Sequence, residues 1–335
     1  MSTNAVLMAK DSAMIDYVYS SAAMEWLLAN TNIHPETVTA DNLDSELPKL
    51  SQTEVIFSTW GIPRLNEQQI AAMPKLKAVF YAAGSVRAFA EPFLEREIMI
   101  CSAVEANAIP VAEFCLGQIL LSLKGYFINN RVAKSGQWSD AIKVIGPGVY
   151  GETVALLGVG SISRHLLKLL KNFNIRVIAV SNYLQSRPEE AALLGIERLV
   201  TMDEAFRSAL VVSNHLPDKP DNRGIITKQH FAAMRPGATF INTGRGAQVD
   251  ESGMVEVLRE RDDLSALLDV TFPEPPSPDS PLYSLDNIQL STHIAGSMND
   301  EVHRMADYML DEFRRWRDGK ALHYQVYQED FAKRA

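Results

Sequence analysis

The sequence predicts an α/β fold with two domains, one of them built around a doubly wound parallel sheet. Three observations support this prediction. The chain has 335 residues, which is enough for two hydrophobic cores of ordinary size. Short apolar runs alternate with helix-like segments over most of its length, as they do in βαβ units. A glycine turn separates a predicted strand from a predicted helix at residues 158–160.

The most informative segment extends from Thr153 to Tyr183 and is typical of a strand, a glycine turn, a helix and a second strand. The aliphatic run that begins at Thr153 predicts a buried parallel strand. Gly158 and Gly160 allow the backbone to approach a pyrophosphate, and the helix from about Ser161 to Asn172 directs its positive N-terminus at that anion. In this context the turn predicts a dinucleotide-binding (Rossmann) unit rather than a turn that only packs a helix on a sheet.

Two departures from the ideal dinucleotide-binding pattern concern the cofactor. Ser163 stands where the third glycine is expected, and its side chain is small enough for close helix packing. Ser181 and Asn182 stand where an acidic residue would bind the ribose 2′-hydroxyl, and Arg187 follows nearby. These side chains tolerate or bind a 2′-phosphate, although Arg187 is equally consistent with a solvated surface charge. The sequence therefore favours NADP, with NAD as the alternative.

Six candidate strands alternate with helices in residues 107–298, as in a complete doubly wound domain. The strands are predicted at Val154–Leu157, Arg176–Val180, Leu210–Ser213, Thr239–Asn242, Ala266–Asp269 and Ile288–Ser291. The later helices are predicted near Pro188–Leu194, Met202–Ser208, Lys228–Met234 and Asp250–Arg259. We therefore assign residues 107–298 to a Rossmann domain that binds NAD(P).

Residues 1–106 have an alternation of their own and predict a smaller, flavodoxin-like α/β domain. Its strands are predicted at Ala5–Met8, Glu54–Ser58 and Ala78–Tyr81, and its helices near Ser21–Leu28 and Glu67–Met73. Apolar residues at helical spacing between Val302 and Trp316 predict a C-terminal helix that returns to this domain. The smaller domain is therefore predicted to be discontinuous, with residues 1–106 and 299–335.

A further long apolar helix is predicted at Val111–Tyr126. It is hydrophobic on more than one side, which predicts burial between domains or against another subunit. We therefore predict a homodimer with this helix in or beside the interface. A helix that only covers the sheet within one subunit is the alternative.

Composition and charge limit the partners and the compartment. The chain is 47% hydrophobic and 22% charged, and its net charge of −9 argues against nucleic acid or an anionic membrane as the main partner. Cys101 and Cys115 have no paired spacing, which predicts a reducing compartment. The N-terminus lacks a secretory pattern, and no apolar run approaches the about 20 residues of a membrane span. We expect a cytoplasmic protein without a metal site.

Three polar features follow the later strands of the predicted Rossmann domain, at the edge where open α/β sheets bind their ligands. Arg245 stands between two glycines in FINTGRGAQVD. Asp269 and Glu274 lie in LLDVTFPEPP, and His293 lies among small residues in STHIAGS. Each of these side chains has a structural explanation when it is taken alone. Their successive arrival at the strand ends of one sheet predicts an active site.

From about Ala78 to Val326 the chain resembles the D-isomer-specific 2-hydroxyacid dehydrogenases, through GVGSIS, HLPDKPDNRGIITKQHFAAMRPGATFINTGRG, LLDVTFPEPP and THIAGS. The tract RPEEA resembles the glyoxylate/hydroxypyruvate reductase branch, which favours NADP. The resemblance implies that Arg245, Glu274 and His293 form the catalytic triad. It also implies that Asp269 holds the nicotinamide carboxamide.

The resemblance assigns further residues to ligands. The substrate carboxylate would meet the backbone N–H groups of a loop in the first domain, and we expect substrate contacts from Gly84, Ser85, Val86, Arg245 and His293. We expect cofactor contacts from Gly158, Gly160, Ser161, Ile162, Ser181, Asn182, Arg187, Leu216, Pro217, Thr243, Gly244, Asp269, His293, Ala295 and Gly296.

The chemistry of these side chains agrees with reduction of a small 2-keto acid. Imidazole takes up and releases a proton near neutral pH, so His293 suits proton transfer, and Glu274 would keep its charged form available. Arg245 suits a carboxylate and a carbonyl oxygen. One alternative is oxidation of a phosphorylated or larger hydroxy acid, with Arg87 at the extra anionic group. The other alternative is a nucleotide-sensing protein like the corepressor relatives of this family. Measuring the turnover of keto acids distinguishes these three functions.

Overall fold

The computed structural model describes residues 2–141 and 146–331, and the chain divides into two compact units. The first unit comprises residues 1–107 and 297–335, and the second comprises residues 108–296. The roles of the two parts stay predictions: substrate binding for residues 1–106 with 299–335, and cofactor binding for residues 107–298.

Strands and helices alternate in both units. In chain order the strands are β1 (Thr3–Met8), β2 (Thr31–Ile33), β3 (Val55–Ser58), β4 (Ala78–Tyr81), β5 (Met99–Ser102), β6 (Glu152–Leu157), β7 (Ile175–Val180), β8 (Arg198–Leu199), β9 (Val211–Asn214), β10 (Thr239–Asn242), β11 (Ser265–Leu268), β12 (Ile288–Leu290) and β13 (Gln325–Val326). The α-helices are α1 (Ser12–Val18), α2 (Ser21–Asn30), α3 (Leu43–Glu46), α4 (Glu67–Ala71), α5 (Glu91–Leu94), α6 (Val104–Leu123), α7 (Tyr126–Lys134), α8 (Trp138–Ala141), α9 (Ser161–Leu170), α10 (Asn182–Gln185), α11 (Pro188–Leu194), α12 (Met202–Ser208), α13 (Lys228–Ala232), α14 (Glu251–Glu260), α15 (His303–Arg317) and α16 (Gln328–Phe331).

The sheet of the first unit has the strand order β13-β5-β4-β3-β1-β2. Its strands pair in parallel except for β13, which pairs with β5 in the antiparallel sense. The order of β2, β1, β3, β4 and β5 is that of flavodoxin-like proteins, and the antiparallel strand comes from the C-terminal segment. The predicted flavodoxin-like fold of this part is therefore confirmed.

The first unit has a hydrophobic core on each face of its sheet, because successive side chains of a buried strand point to opposite faces. Phe57 and Phe80 lie in one core, where Phe313 of helix α15 contacts both rings edge to face at centroid distances of 5.1 Å and 5.5 Å. Their neighbours Ile56 and Val79 lie in the other core. The C-terminal helix thus completes a core that residues 1–107 begin.

The sheet of the second unit is parallel throughout, with the order β12-β11-β10-β9-β6-β7-β8. The order of β8, β7, β6, β9, β10 and β11 is that of the doubly wound dinucleotide-binding fold, which confirms the predicted α/β Rossmann class. Its registers pair Leu157 with Asn214, Asn214 with Asn242, and Asn242 with Leu268. The carboxyl ends of these central strands therefore lie level at one edge of the sheet.

The bounds predicted for the long apolar helix, Val111–Tyr126, were wrong. Helix α6 begins at Val104 and continues through Pro110, although a proline is most often tolerated in the first turn. It ends at Leu123, because Gly125 takes a positive φ of 68° and precedes the separate helix α7.

Helix α6 also corrects the expectation that no apolar segment approaches the length of a membrane span. Its 20 residues are long enough and apolar enough to cross a membrane, by length and composition alone. Five of its side chains nevertheless belong to the hydrophobic core of the second unit, which is the packing of a core helix. They are Val111, Ala112, Cys115, Ile119 and Leu123.

Candidate active site

The glycine turn after β6 has the shape that a pyrophosphate requires. Gly158 has a positive φ of 89°, and a Cβ there would lie only 2.7 Å from the carbonyl oxygen of His215. A Cβ on Gly160 would meet open space, and no side chain caps the ten-residue helix α9 at this residue. The first-turn amides of Ser161 and Ile162 therefore suit an anion, and the turn fits a dinucleotide.

Ser163, in the place of the third glycine, is completely buried. Its hydroxyl donates a 2.7 Å hydrogen bond to the carbonyl oxygen of Gly158, five residues earlier. The departure from the ideal pattern thus adds a bond within the turn and leaves the close packing of helix α9 intact.

The end of β7 carries the residues that are predicted to select the cofactor. Ser181 caps helix α10, since its side chain accepts a hydrogen bond of 3.3 Å from the backbone N–H of Leu184. Asn182 begins that helix. Arg187 lies over the ring of Tyr183, 4.1 Å from its centroid, and donates a 2.9 Å hydrogen bond to the Tyr183 carbonyl oxygen. The guanidinium is therefore held along the surface of this short helix.

Glu274 and His293 are in direct contact. His293 Nδ1 lies 2.7 Å from Glu274 Oε1, with 52% of the His293 side chain and 43% of the Glu274 side chain exposed. The two residues come from the loops after β11 and β12, which are adjacent strands. His293 has a positive φ of 60°, and its backbone N–H donates a 3.0 Å hydrogen bond to the carbonyl oxygen of Asp269. The acid and the imidazole are thus presented together at the carboxyl edge of the sheet.

Asp269 is buried and holds the loop that follows His293. Its carboxylate accepts hydrogen bonds from the hydroxyl of Ser291 at 2.6 Å, from the N–H of Ile294 at 2.8 Å and from the N–H of Ala295 at 3.0 Å. Such charge-assisted bonds fix the loop firmly. The structure therefore gives Asp269 a positioning role, which the sequence did not predict, beside its predicted contact with the carboxamide.

Arg245 follows β10 in a turn that packs against the loop leading to Glu274. A Cβ on Gly246 would lie only 2.0 Å from the backbone carbon of Thr271, so this close approach requires a glycine. The Arg245 guanidinium donates a 2.7 Å hydrogen bond to the carbonyl oxygen of Gly244, and its Nε lies 3.5 Å from Asp218 Oδ2. Asp218 beside the guanidinium is a second feature that the sequence analysis missed.

The remaining predicted cofactor residues follow neighbouring strands at the same edge of the sheet. Leu216 and Pro217 follow β9, Thr243 and Gly244 follow β10, and Ala295 and Gly296 follow β12. Because the central strand ends lie level, these loops converge on the edge that also carries the glycine turn.

Buried polar side chains lie beneath this edge. Burial lowers the pKa of His215 to about 4, and its Nε2 lies 2.9 Å from the Ser213 hydroxyl. Cys115 is a free, buried cysteine whose sulfur lies 3.4 Å from the Thr243 hydroxyl, and burial raises the pKa of its thiol to about 11. His215 is therefore neutral near pH 7, and Cys115 is a protonated thiol rather than a nucleophile.

The predicted substrate loop belongs to the first unit. The hydroxyl of Ser102 donates a 2.6 Å hydrogen bond to the carbonyl oxygen of Gly84, and the Ser85 hydroxyl accepts one of 3.4 Å from the N–H of Arg87. Val86 is buried in the core. A Cβ on Gly84 would lie 3.6 Å from the side-chain nitrogen of Asn107. The loop is thus anchored at the carbonyl of Gly84 and by the buried side chain of Val86.

A family model described as D-isomer specific 2-hydroxyacid dehydrogenase, NAD binding domain, matches residues 116–295. The chain belongs to this family. The resemblance that the four motifs predicted is therefore confirmed, and the matched region contains Arg245, Glu274 and His293. It lies within the second compact unit.

Similar proteins agree with the family and the fold. D-3-phosphoglycerate dehydrogenase of Methanocaldococcus jannaschii is 29% identical over 278 residues, which are 83% of this chain and 52% of that protein. The chain thus spans about half the length of this relative. Among solved structures, a phosphoglycerate oxidoreductase from Rhizobium etli is similar with a TM-score of 0.81 and 21% identity, over 97% of this chain and 98% of that one. D-mandelate dehydrogenase of Rhodotorula graminis has a TM-score of 0.80, 20% identity and the same coverage.

Proposed function

We propose that the protein interconverts a small 2-keto acid, of the glyoxylate or hydroxypyruvate type, and its D-2-hydroxy acid with a nicotinamide dinucleotide. The observation that carries this proposal is the 2.7 Å contact between Glu274 and His293 Nδ1. The contact leaves Nε2 as the ring nitrogen that faces a reacting oxygen. The Glu274–His293 pair lies at the same sheet edge as the glycine turn that fits a pyrophosphate.

In the reductive direction the bound nicotinamide supplies the hydride. His293 donates a proton to the carbonyl oxygen of the substrate as that oxygen becomes a hydroxyl. Glu274 orients the imidazole ring and stabilises its charged form before the transfer. Arg245 binds the carboxylate and the carbonyl oxygen through its planar guanidinium, which favours negative charge on that oxygen. The loop Gly84–Val86 is assigned to the substrate carboxylate.

The preference for a small keto acid rests on the tract RPEEA and its likeness to the glyoxylate/hydroxypyruvate reductases. A phosphoglycerate-type activity is the second candidate, because similar proteins carry that name. Arg87, which follows the loop Gly84–Val86, would serve the extra anionic group in that case. A role limited to nucleotide sensing is the third reading, and the direct Glu274–His293 contact favours catalysis over it.

NADP is the proposed cofactor, with NAD as the alternative. The end of β7 offers Ser181 and Asn182 in the place of a carboxylate, so neither of these two side chains repels a 2′-phosphate. Arg187 reaches such a phosphate only if it leaves the ring of Tyr183, since it lies 4.1 Å from the ring centroid. The proposed preference therefore depends more on the missing acid than on the arginine.

We propose that the protein is a cytoplasmic homodimer, with helix α6 in or beside the interface. Two aromatic side chains near this helix in the sequence support the proposal, since Trp138 is 71% exposed and Tyr150 is 85% exposed. Light scattering at micromolar concentration should give twice the chain mass. A stable monomer would contradict the proposal.

The experiment that tests the proposed function is turnover of a keto-acid panel with both reduced cofactors. The panel contains glyoxylate, hydroxypyruvate and 3-phosphohydroxypyruvate, each with NADPH and with NADH. We expect the highest kcat/KM for glyoxylate or hydroxypyruvate, with NADPH at least as efficient as NADH. A clear preference for the phosphorylated acid would support the second candidate. Cofactor binding without turnover of any acid would support the sensing role.

A further inference from the structure

Three buried side-chain amides, Asn214, Asn242 and Gln248, form a connected group that we call the amide cluster. Asn214 and Asn242 stand opposite each other at the ends of β9 and β10. Asn214 Nδ2 donates to Asn242 Oδ1 at 2.9 Å and to Gln248 Oε1 at 2.8 Å. All three side chains are at least 98% buried. Because buried amides are costly unless they are hydrogen-bonded, such a cluster holds one arrangement firmly.

The amide cluster fixes the backbone of the turn that carries Arg245. Gln248 Oε1 accepts the N–H of Arg245 at 3.3 Å, and Asn242 Nδ2 donates to the carbonyl oxygen of Arg245 at 3.3 Å. Asn242 Oδ1 also accepts the N–H of Gly244 at 3.1 Å. The N–H and the carbonyl of the catalytic arginine are therefore both bound by this cluster.

The same cluster fixes the loop after β9, which is assigned to the cofactor. Gln248 Nε2 donates to the carbonyl oxygens of Leu216 at 3.1 Å and Pro217 at 2.9 Å. Asn214 Oδ1 accepts the N–H of Leu216 at 3.2 Å. Within the cluster, Gln248 is the residue whose own side chain bonds directly to both the arginine turn and this loop.

We infer that Gln248 is a positioning residue that couples the cofactor loop Leu216–Pro217 to Arg245, an inference that rests on the proposed function. A dinucleotide that orders this loop also orders the carbonyl oxygens that hold Gln248. Gln248 in turn holds the backbone N–H of Arg245. Binding of the cofactor therefore strengthens binding of the keto-acid carboxylate at Arg245, and the coupling is reciprocal.

The test replaces Gln248 by methionine, which keeps the length of the side chain and removes its hydrogen bonds. In the parent protein, NADPH should tighten the binding of oxalate, a substrate-like anion, as measured by calorimetry. Gln248→Met should reduce this tightening by about tenfold and lower kcat by about 10- to 100-fold. Undiminished tightening and kcat in the variant would overturn the inference.

Asn287 offers a matched control in the same unit. Its buried amide donates to the carbonyl oxygens of Leu258 at 2.9 Å and Arg261 at 3.2 Å, away from the sheet edge of the site. Asn287→Leu should lower the melting temperature about as much as Gln248→Met. It should leave kcat and the oxalate–NADPH coupling unchanged. If it reduces both as strongly, Gln248 acts through stability alone and the inference fails.

Hydrogen exchange of the ligand-free protein gives a readout that is independent of activity. In Gln248→Met, the amides of residues 214–218 and of residues 243–248 should both exchange about tenfold faster than in the parent. Faster exchange in both segments supports the mechanical link, even if the parent turns over no keto acid and the proposed function fails. Unchanged exchange in either segment overturns the link, even if the proposed function holds.

Discussion

Glu274→Gln is the substitution that most sharply separates the catalytic from the structural contribution of the Glu274–His293 pair. Glutamine keeps the size of the side chain and an acceptor oxygen at the position that lies 2.7 Å from His293 Nδ1, and it removes the charge. Both side chains are about half exposed, and exposed ion pairs contribute at most about 1 kcal/mol to stability. The free energy of unfolding should therefore change little.

The effect on the reaction should be easier to measure, because the charge stabilises the imidazolium that donates the proton and a small energy is a several-fold change in rate. Two unit charges about 4 Å apart at an effective dielectric constant of about 20 interact by about 4 kcal/mol. Screening at these half-exposed side chains reduces this to about 1 kcal/mol. Since 1.36 kcal/mol corresponds to a factor of about ten in rate, kcat/KM for keto-acid reduction should fall by about fivefold.

The assay is steady-state reduction of glyoxylate or hydroxypyruvate, together with NADPH binding by fluorescence. Asp203 and His230 provide the control, because they form another acid–imidazole pair in the same unit, with 3.3 Å between Asp203 Oδ1 and His230 Nε2. Asp203→Asn should leave kcat/KM unchanged. The reasoning is refuted if Glu274→Gln keeps full kcat/KM, or if Asp203→Asn lowers it as much.

Three further predictions test other parts of the account. Ser181→Asp should shift the preference in kcat/KM from NADPH toward NADH, and aspartate should still cap helix α10. If the unsubstituted protein already prefers NADH strongly, the cofactor assignment is wrong. Asp218→Asn should lower the KM of the keto acid, because the Asp218 carboxylate lies 3.5 Å from the Arg245 guanidinium and competes with the substrate carboxylate. A raised KM would contradict this and show that Asp218 orients Arg245 instead. Since burial lowers the pKa of His215 to about 4, the unfolded chain binds the extra proton, and the free energy of unfolding should fall by up to about 3 kcal/mol as pH drops from 6.5 to 4. In urea titrations this fall should be up to about 3 kcal/mol larger in the parent than in His215→Gln, and equal falls would refute the reasoning.

Most strands of both sheets were predictable from apolar runs, but β5 was missed although its residues Ile100 and Cys101 are completely buried. Strand β4 has the predicted bounds, and β6 and β7 differ from the prediction by one or two residues. The edge strands β2, β8 and β13 were missed, because two or three residues carry no detectable alternation. The start of helix α6 was missed because Pro110, a common helix-start residue, lies in its interior.

The candidate site was predictable where a motif joins chemistry to a strand end, as for Glu274 and His293. The amide cluster was not, because Asn242 and Gln248 lie 28 and 34 residues after Asn214 in the chain, and the register of β9 against β10 brings them together. The position of Asp218 beside Arg245 was also unpredictable, because it depends on how two loops fold at the sheet edge.

The central claim is that His293 transfers a proton to and from a keto-acid oxygen, and the turnover number of His293→Ala tests it most directly. At saturating NADPH and keto acid, the account predicts that kcat falls by about 10²- to 10⁴-fold relative to the parent. The dissociation constant of NADPH should stay within about twofold, because the glycine turn and helix α9 are untouched. A His293→Ala protein that reduces the same keto acid at the parent rate would contradict the account.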